Sequence, residues 1–265
     1  MSFFADLRSY GFHSNKDTLE RKILEWREKL ALLPPISYMR DVIAFTGLSL
    51  EECLRRAQDK NYHKELWYTR DRTNEAEYQA FYQESDFYIF RQPWRYRLYT
   101  WHFLTKMLPP QGSMVDYGCG AACATEWMSS RYPEYRYVAA DIQSSSLEFA
   151  KFRLAQRPNV EIKTIGLEKA GLPLDAQYDL ITCCDVMEHT YNPDEIFCHF
   201  IEHLAPNGLL YVTYQDFGWD EGENLDESRQ KRGPALQILK EKLIPIKAVD
   251  DKGSYWGLYR KLSLS

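Results

Sequence analysis

From residue 114 to residue 214 the chain repeats one pattern of apolar and polar positions. Short apolar runs, Met114–Asp116, Tyr137–Asp141, Val160–Thr164, Tyr178–Asp185 and Leu209–Tyr214, alternate with segments of helical spacing. Runs of this length separated by helix-length segments predict a parallel sheet with crossover helices, an α/β fold. The run at Tyr178 is nearly all apolar in its middle, as a strand covered on both faces should be. Ala121–Arg131 and Ser145–Gln156 read as helices, and Asn192, Pro193 and Glu195 supply the N-cap, first turn and third position of another that reaches Leu204. Lys242–Val249 and Tyr255–Leu262 read as a closing strand pair joined at Asp250–Gly253. Between them and the fifth run, Asp216–Gly233 is polar and acid-rich, and reads as a loop or insert beside the strand ends.

Upstream the pattern changes to helical spacing. Asp17 with Glu20, Ser49 with Glu52, and Asn74 with Glu77 are capping-box pairs. The first opens an amphipathic run of Leu19, Ile23, Trp26, Leu30 and Leu33 that Pro34-Pro35 stops. The second precedes a helix over Leu50–Gln58. The expected division is a helical lid or substrate-recognition region over residues 1–108 and a sheet domain over 109–265.

Composition narrows the function classes. The 265 residues carry a net charge of −5 and no lysine or arginine run, so bulk nucleic-acid binding is not expected. No stretch is long and apolar enough to span a membrane. Asp6 and Arg8 interrupt the start, so no secretory leader is expected and the location is read as cytoplasmic. Six scattered cysteines form no paired C-x-x-C sets and read as buried thiols rather than metal ligands; none of the histidines outside His189 suggests a ligand set either. Aromatic residues make up 15%, concentrated before residue 105, with the densest run over Phe81–Trp101 and Arg91, Arg95 and Arg97 interleaved. That run reads either as a helix packed on the sheet or as a lid, since aromatic faces attract cations and guanidinium groups bind carboxylates.

The candidate chemistry sits in Met114-Val-Asp-Tyr-Gly-Cys-Gly-Ala-Ala-Cys123. A strand ending in Asp116 runs into a turn with Gly118 and Gly120 and then a helix whose first N–H groups are unpaired. A dinucleotide fingerprint would want a third small residue where Cys123 stands. Asp141 ends the next strand 21 positions after Gly120, the place of a carboxylate that binds ribose hydroxyls, so a nucleoside is the expected ligand.

These pieces resemble the class I S-adenosylmethionine-dependent methyltransferases, in the ubiquinone-biosynthesis-like branch. Val115–Gly120, Ala140-Asp141, Tyr178–His189 and Leu204–Thr213 carry the resemblance, in the family's order, over roughly residues 95–262. It implies a Rossmann-like, seven-stranded sheet with an antiparallel last strand, and S-adenosyl-L-methionine as cofactor. It implies that Gly118, Cys119 and Gly120 meet the methionine part, that Asp116 orders the loop and receives the amino group, and that Asp141 holds the ribose with Ile142 against adenine. Asp185 would sit near the methionine, Glu188 and His189 would face substrate with His189 as candidate base, and Arg97 would take the carboxylate. The family's acidic residue after the third strand is displaced here: Leu167 stands at its position and Glu168 one step on. Tyr88, Trp94, Tyr96 and Tyr214 are the acceptor-side residues.

The resulting expectation is methyl transfer to a small-molecule acceptor, with no oligomeric state indicated. An enzyme that transfers or cyclises the aminocarboxypropyl arm, releasing methylthioadenosine, needs the same pocket. A non-catalytic nucleoside-binding module is a further alternative, and a nicotinamide dehydrogenase, lacking the third glycine, the weakest.

Overall fold

The protein is described by a computed structural model over residues 36–59, 65–71, 74–95, 104–166, 172–216, 224–251 and 253–262. Helices α1 (Ile36–Thr46), α2 (Leu50–Gln58), α3 (Glu75–Glu84) and α4 (Phe87–Arg95) precede the first strand. The Ser49 hydroxyl accepts from the Glu52 N–H at 3.2 Å, and Asn74 Oδ1 accepts from Ala76 and Glu77 at 3.0 and 3.4 Å, so both caps form as the sequence predicts. Helix α1 follows Pro35 with no cap signature, and its apolar face of Tyr38, Met39 and Val42 is what makes it a helix. The predicted helix over Leu19–Leu33 lies outside the described residues.

The sheet is seven-stranded in the order β3-β2-β1-β4-β5-β7-β6. Its strands are β1 (Ser113–Tyr117), β2 (Arg136–Ile142), β3 (Val160–Ile165), β4 (Tyr178–Cys184), β5 (Leu204–Gln215), β6 (Ile244–Asp251) and β7 (Ser254–Arg260). β1 to β5 pair in parallel, and β7 inserts antiparallel between β5 and β6. The crossovers carry α5 (Cys123–Arg131), α6 (Ser145–Leu154) and α7 (Pro193–His203), and α8 (Asp226–Lys242) leads into β6.

Side chains alternate across the strands to build two cores. Val115, Ile181, Cys183 and Val212 pack under α7 and α8 with Phe197, Phe200, Leu236 and Leu239. Met114, Leu180, Leu209 and Tyr211 pack on the other face with Trp127 and Met128 of α5. A third cluster joins Tyr38, Val42, Ile89 and Phe90 of the preceding helices to Ala121, Cys123 and Phe149. Five cysteines are buried and Cys198 is exposed.

Two expectations are corrected. Residues 226–233 are not loop but the first half of α8, whose buried Ser228, Ala235, Leu236 and Leu239 share one helical face. Gly233 and Pro234 broke that periodicity in the sequence; Pro234 gives up one backbone hydrogen bond, and the buried face holds the helix together. β5 starts at Leu204, and the Pro206–Gly208 turn is a bulge within it, with a register shift between Tyr178 and Leu180 and Asn207 at φ 64°.

Candidate functional site

The site grows from the end of β1. Beyond Tyr117 the chain turns back toward β2, with the Gly118 and Cys119 N–H groups both donating to the Ala140 carbonyl, at 2.8 and 3.1 Å. Gly118 and Gly120 have φ of +69° and +54°, and Ala122, the N-cap of α5, has φ 54°. Both glycines are required by the protein's own packing. A Cβ on Gly118 would run into the Val186 side chain, and one on Gly120 would lie 2.5 Å from Gln92 Nε2. The sequence suggests that Gly120 clears room for a ligand; the structure fills that side with Gln92.

Asp141 stands at the end of β2 against this loop. Its Oδ2 accepts from Gly120 N at 2.5 Å and its Oδ1 from Ile142 N at 2.7 Å. Each oxygen keeps a further lone pair, and the side chain lines the cleft. Burial pushes its carboxyl up from 3.8 to about 6, against the lowering effect of the two N–H donors.

The cleft lies over the carboxyl ends of β1, β2 and β4 and encloses about 1160 Å³ of empty space, counting the part open to solvent. One side holds Gly118, Gly120, Asp141, Ile142, Ser144 and Ile165. The other is a wall of rings: Tyr78 and Tyr82 of α3, Tyr88 of α4, and His189 and Tyr191 beyond β4. Tyr82 stacks on Tyr88 with centroids 6.3 Å apart at 16°, and Tyr78 packs edge-on to Tyr82 and Tyr191 at 5.1 and 5.8 Å. The Tyr78 hydroxyl donates to the His189 carbonyl, and the His189 ring meets Trp67 at 6.3 Å and Tyr82 at 6.4 Å. Burial drives the Tyr78 and Tyr82 hydroxyls well above their ordinary range, so both stay protonated. Asp185, at φ 54° just past β4, also lines the cleft; its Oδ1 accepts from Thr213 Oγ1 at 2.8 Å and Gln215 Nε2 at 3.0 Å.

The structure thus gathers Gly118, Gly120, Asp141, Ile142, Asp185, His189 and Tyr88 around one cleft. Other expected residues stand elsewhere. Asp116 is buried beneath the loop and accepts from Thr125 Oγ1 at 3.0 Å and Thr182 Oγ1 at 3.1 Å, so both oxygens are taken up by the fold and the carboxylate is not part of the cleft wall. Cys119 contributes its main chain, with its thiol buried. Tyr214 is in the core; its hydroxyl donates to the Ser228 carbonyl of α8 at 2.7 Å, which removes it from the acceptor side. Tyr96, Arg97, Leu167, Glu168 and the side chain of Trp94 lie outside the described residues. Tyr82 belongs to the aromatic run offered as a lid, whereas Gln92, Tyr191 and the site role of Tyr78 were missed; the spacing of Tyr78, Tyr82 and Tyr88 around the α3–α4 break was the available signal.

A second cluster has a different outcome. His199, Glu202 and His203 come close enough on α7 to face one ion, a set the sequence reading did not expect. His199 Nε2, however, accepts from Leu174 N at 3.0 Å, which leaves the ring proton on Nδ1 and no nitrogen for a metal. Burial first, then His203, lowers the His199 pKa to about 4.

Residues 115–210 match the family described as methyltransferase domain. A ubiquinone biosynthesis O-methyltransferase of Rickettsia typhi is 26% identical over 100 residues, 38% of this chain and 39% of that protein. The mitochondrial ubiquinone biosynthesis O-methyltransferase of Saccharomyces cerevisiae is 29% identical over 105 residues, 39% of this chain and 34% of that protein. An uncharacterized protein of a Synechococcus strain is 28% identical over 141 residues, 48% of this chain and 33% of that protein. The matches therefore span well under half the length of these curated relatives. Among solved structures, the N-methyltransferase NodS of Bradyrhizobium japonicum, crystallised with S-adenosyl-L-homocysteine, superposes with a TM-score of 0.50 at 15% identity, over 73% of this chain and all of that one. That likeness shows a shared fold. The methyltransferase-domain match runs from β1 into β5, and the glycine loop and Asp141 both lie inside it.

Proposed function

We propose that the chain binds S-adenosyl-L-methionine in the cleft and transfers its methyl group to a small molecule seated against the tyrosine wall. The observation that carries this reading is Asp141, which faces the cleft from the end of β2 and is locked to Gly120 of the glycine loop. Its two oxygens match the two hydroxyls of a ribose, with Ile142 and Ile165 as the apolar surface beside it for adenine. Asp185, held by Thr213 and Gln215, supplies a fixed acceptor further along the cleft, on the side of the methionine arm.

When bound, the cofactor supplies an activated methyl carbon on a sulfonium. The chain's own contribution is to hold the two partners in line and keep water out. Tyr78, Tyr82, Tyr88 and Tyr191 line that space, and the Tyr78 and Tyr82 hydroxyls stay protonated. The aromatic rings of the acceptor side support an apolar or cationic acceptor. His189 is the lining residue able to take a proton from an acceptor that must lose one.

Calorimetry with S-adenosylhomocysteine tests the cofactor half. Turnover of S-adenosylmethionine with a panel of amines and phenols tests the other, because S-adenosylhomocysteine as product marks methyl transfer and methylthioadenosine marks transfer of the aminocarboxypropyl arm. Saturable binding without either product, across the panel, would leave a nucleoside-binding module instead.

A further inference from the structure

The glycine loop is gripped by side chains that the family resemblance does not assign. Gln92, on the last turn of α4, is 5% exposed. Its Nε2 donates to the Cys119 carbonyl at 2.9 Å, and its Oε1 accepts from the Ala121 N–H. One side-chain amide thus pairs main-chain groups on either side of Gly120, as a neighbouring strand would. Gly120 is matched to it in space, since a Cβ there would lie 2.5 and 2.6 Å from the two amide heteroatoms. Arg153 of α6 completes the grip. Its Nη1 donates to the Ala121 carbonyl at 2.7 Å, its Nε meets Asp41 of α1 at 3.2 Å, and its guanidinium lies 4.5 Å from the Tyr38 ring centroid. With Gly120 N on Asp141, the main-chain polar groups from Cys119 O to Ala121 O are largely hydrogen-bonded before any ligand arrives.

The helix that carries Gln92 also carries Tyr88, one turn earlier, and both line the cleft. We propose that Gln92 is a positioning residue: it sets the shape of the glycine loop for the methyl donor and couples that shape to the seating of α4. The inference rests on the reading of the cleft as the methyl-donor site. A loop with positive φ at Gly118, Gly120 and Ala122 has many other conformations, and fixing them costs entropy. A side chain that fixes the loop in advance removes this cost from binding. The coupling is reciprocal: what loosens α4 weakens the donor, and the donor tightens α4.

The test uses S-adenosylhomocysteine and the full chain. Gln92→Met fills the same space without the two hydrogen bonds, and is expected to weaken binding by about tenfold or more. Amide exchange over residues 118–122 should also quicken in the ligand-free variant. Arg232→Met is the comparison: it breaks the 2.8 Å pair between α8 and Asp250 of the edge strand β6, and touches neither α4 nor the loop. It should lower the melting temperature yet leave affinity within twofold. If Gln92→Met does not fold, Gln92→Glu, which keeps the acceptor for Ala121 and loses the donor to Cys119, is read in the same way. The shared space gives an independent signature, because Gly120→Ala should cost less affinity in a Gln92→Ala background than alone. Wild-type binding with a Gln92 variant that binds within twofold and exchanges alike overturns the positioning role alone. Absence of binding by the wild type overturns the donor site, and the positioning role with it.

Discussion

Asp116 and Asp141 look alike in the sequence: each closes an apolar strand at the carboxyl edge of the sheet, and each stands within a few residues of a turn. The fold gives them opposite tasks. Asp116, at the middle of the sheet, is roofed by the glycine loop and α5, and its oxygens meet Thr125 and Thr182. Asp141, one strand outward, is held by main-chain N–H groups and lines the cleft. Burial raises both carboxyls; the Thr125 and Thr182 hydroxyls with the Thr125 N–H compensate the first, and the Gly120 and Ile142 N–H groups the second. A strand-end acid thus lines a cleft or sits in the core according to the groups that surround it.

The largest expected effect comes from emptying the covered position. Asp116→Ala leaves the Thr125 and Thr182 hydroxyls facing a buried gap, and should cost about 3 kcal/mol of stability in urea titration while leaving the folded fraction's affinity for S-adenosylhomocysteine within threefold. Asp116→Asn should recover most of this loss, since Thr182 can turn its proton to the Val115 carbonyl, 3.2 Å away, and accept from the new amide.

Next in size is the open position. Asp141→Asn replaces one acceptor with a donor that a ribose hydroxyl can meet only by reversing its own role. Affinity should fall by about 30- to 100-fold, or about 2–3 kcal/mol, by calorimetry at pH 7.5. Stability of the free protein should also fall, by about 1–2 kcal/mol, because the new amide NH2 faces the Gly120 or Ile142 N–H that a carboxylate oxygen accepts from. Loss of stability with intact binding would reverse the assignment of the two aspartates.

Acidification sharpens the contrast. The Asp141 carboxyl titrates at about 6 in the folded chain, against 3.8 unfolded. The native state holds its proton more tightly between those values, so this group's contribution to stability falls as pH rises through the window. Affinity runs the other way. If the carboxylate is the ribose acceptor, binding should weaken as pH drops below about 6, approaching tenfold per unit, and the slope should vanish in Asp141→Asn.

The smallest effect is expected at Thr125→Val, which removes one donor from Asp116. A loss of about 1 kcal/mol of stability with unchanged affinity would fit a purely internal bond.

These differences mark how far the sequence could be read. The apolar runs of β1, β2, β3 and β4 are found within one or two residues of their predicted bounds, because a strand covered on both faces is written in contiguous residues. Asp141 and Gly120 were legible for the same reason: their partnership is local to one strand–turn–helix unit. Gln92 was not, since a lone glutamine among aromatics says nothing of a loop 27 residues away. Asp116 could be placed at a strand end but not under a helix. Helix α8 was hidden by Gly233-Pro234, whose local preference is overridden by Leu236 and Leu239 packing with Phe197 and Phe200.

The position of β7 has a consequence for how the sheet is made. β7 is later in the chain than β6 yet stands inside it, between β5 and β6. Until Ser254–Arg260 is synthesised and folded, β6 has nothing to pair with, and the far edge of β5 stays open from Leu209 to Gln215. β7 must therefore be in place before β6 can join the sheet. During that interval a long, largely apolar strand edge is exposed, the kind that recruits other chains. A ribosome stalled near residue 250 would hold a chain with its glycine loop and Asp141 already made, but with its most aggregation-prone edge uncovered.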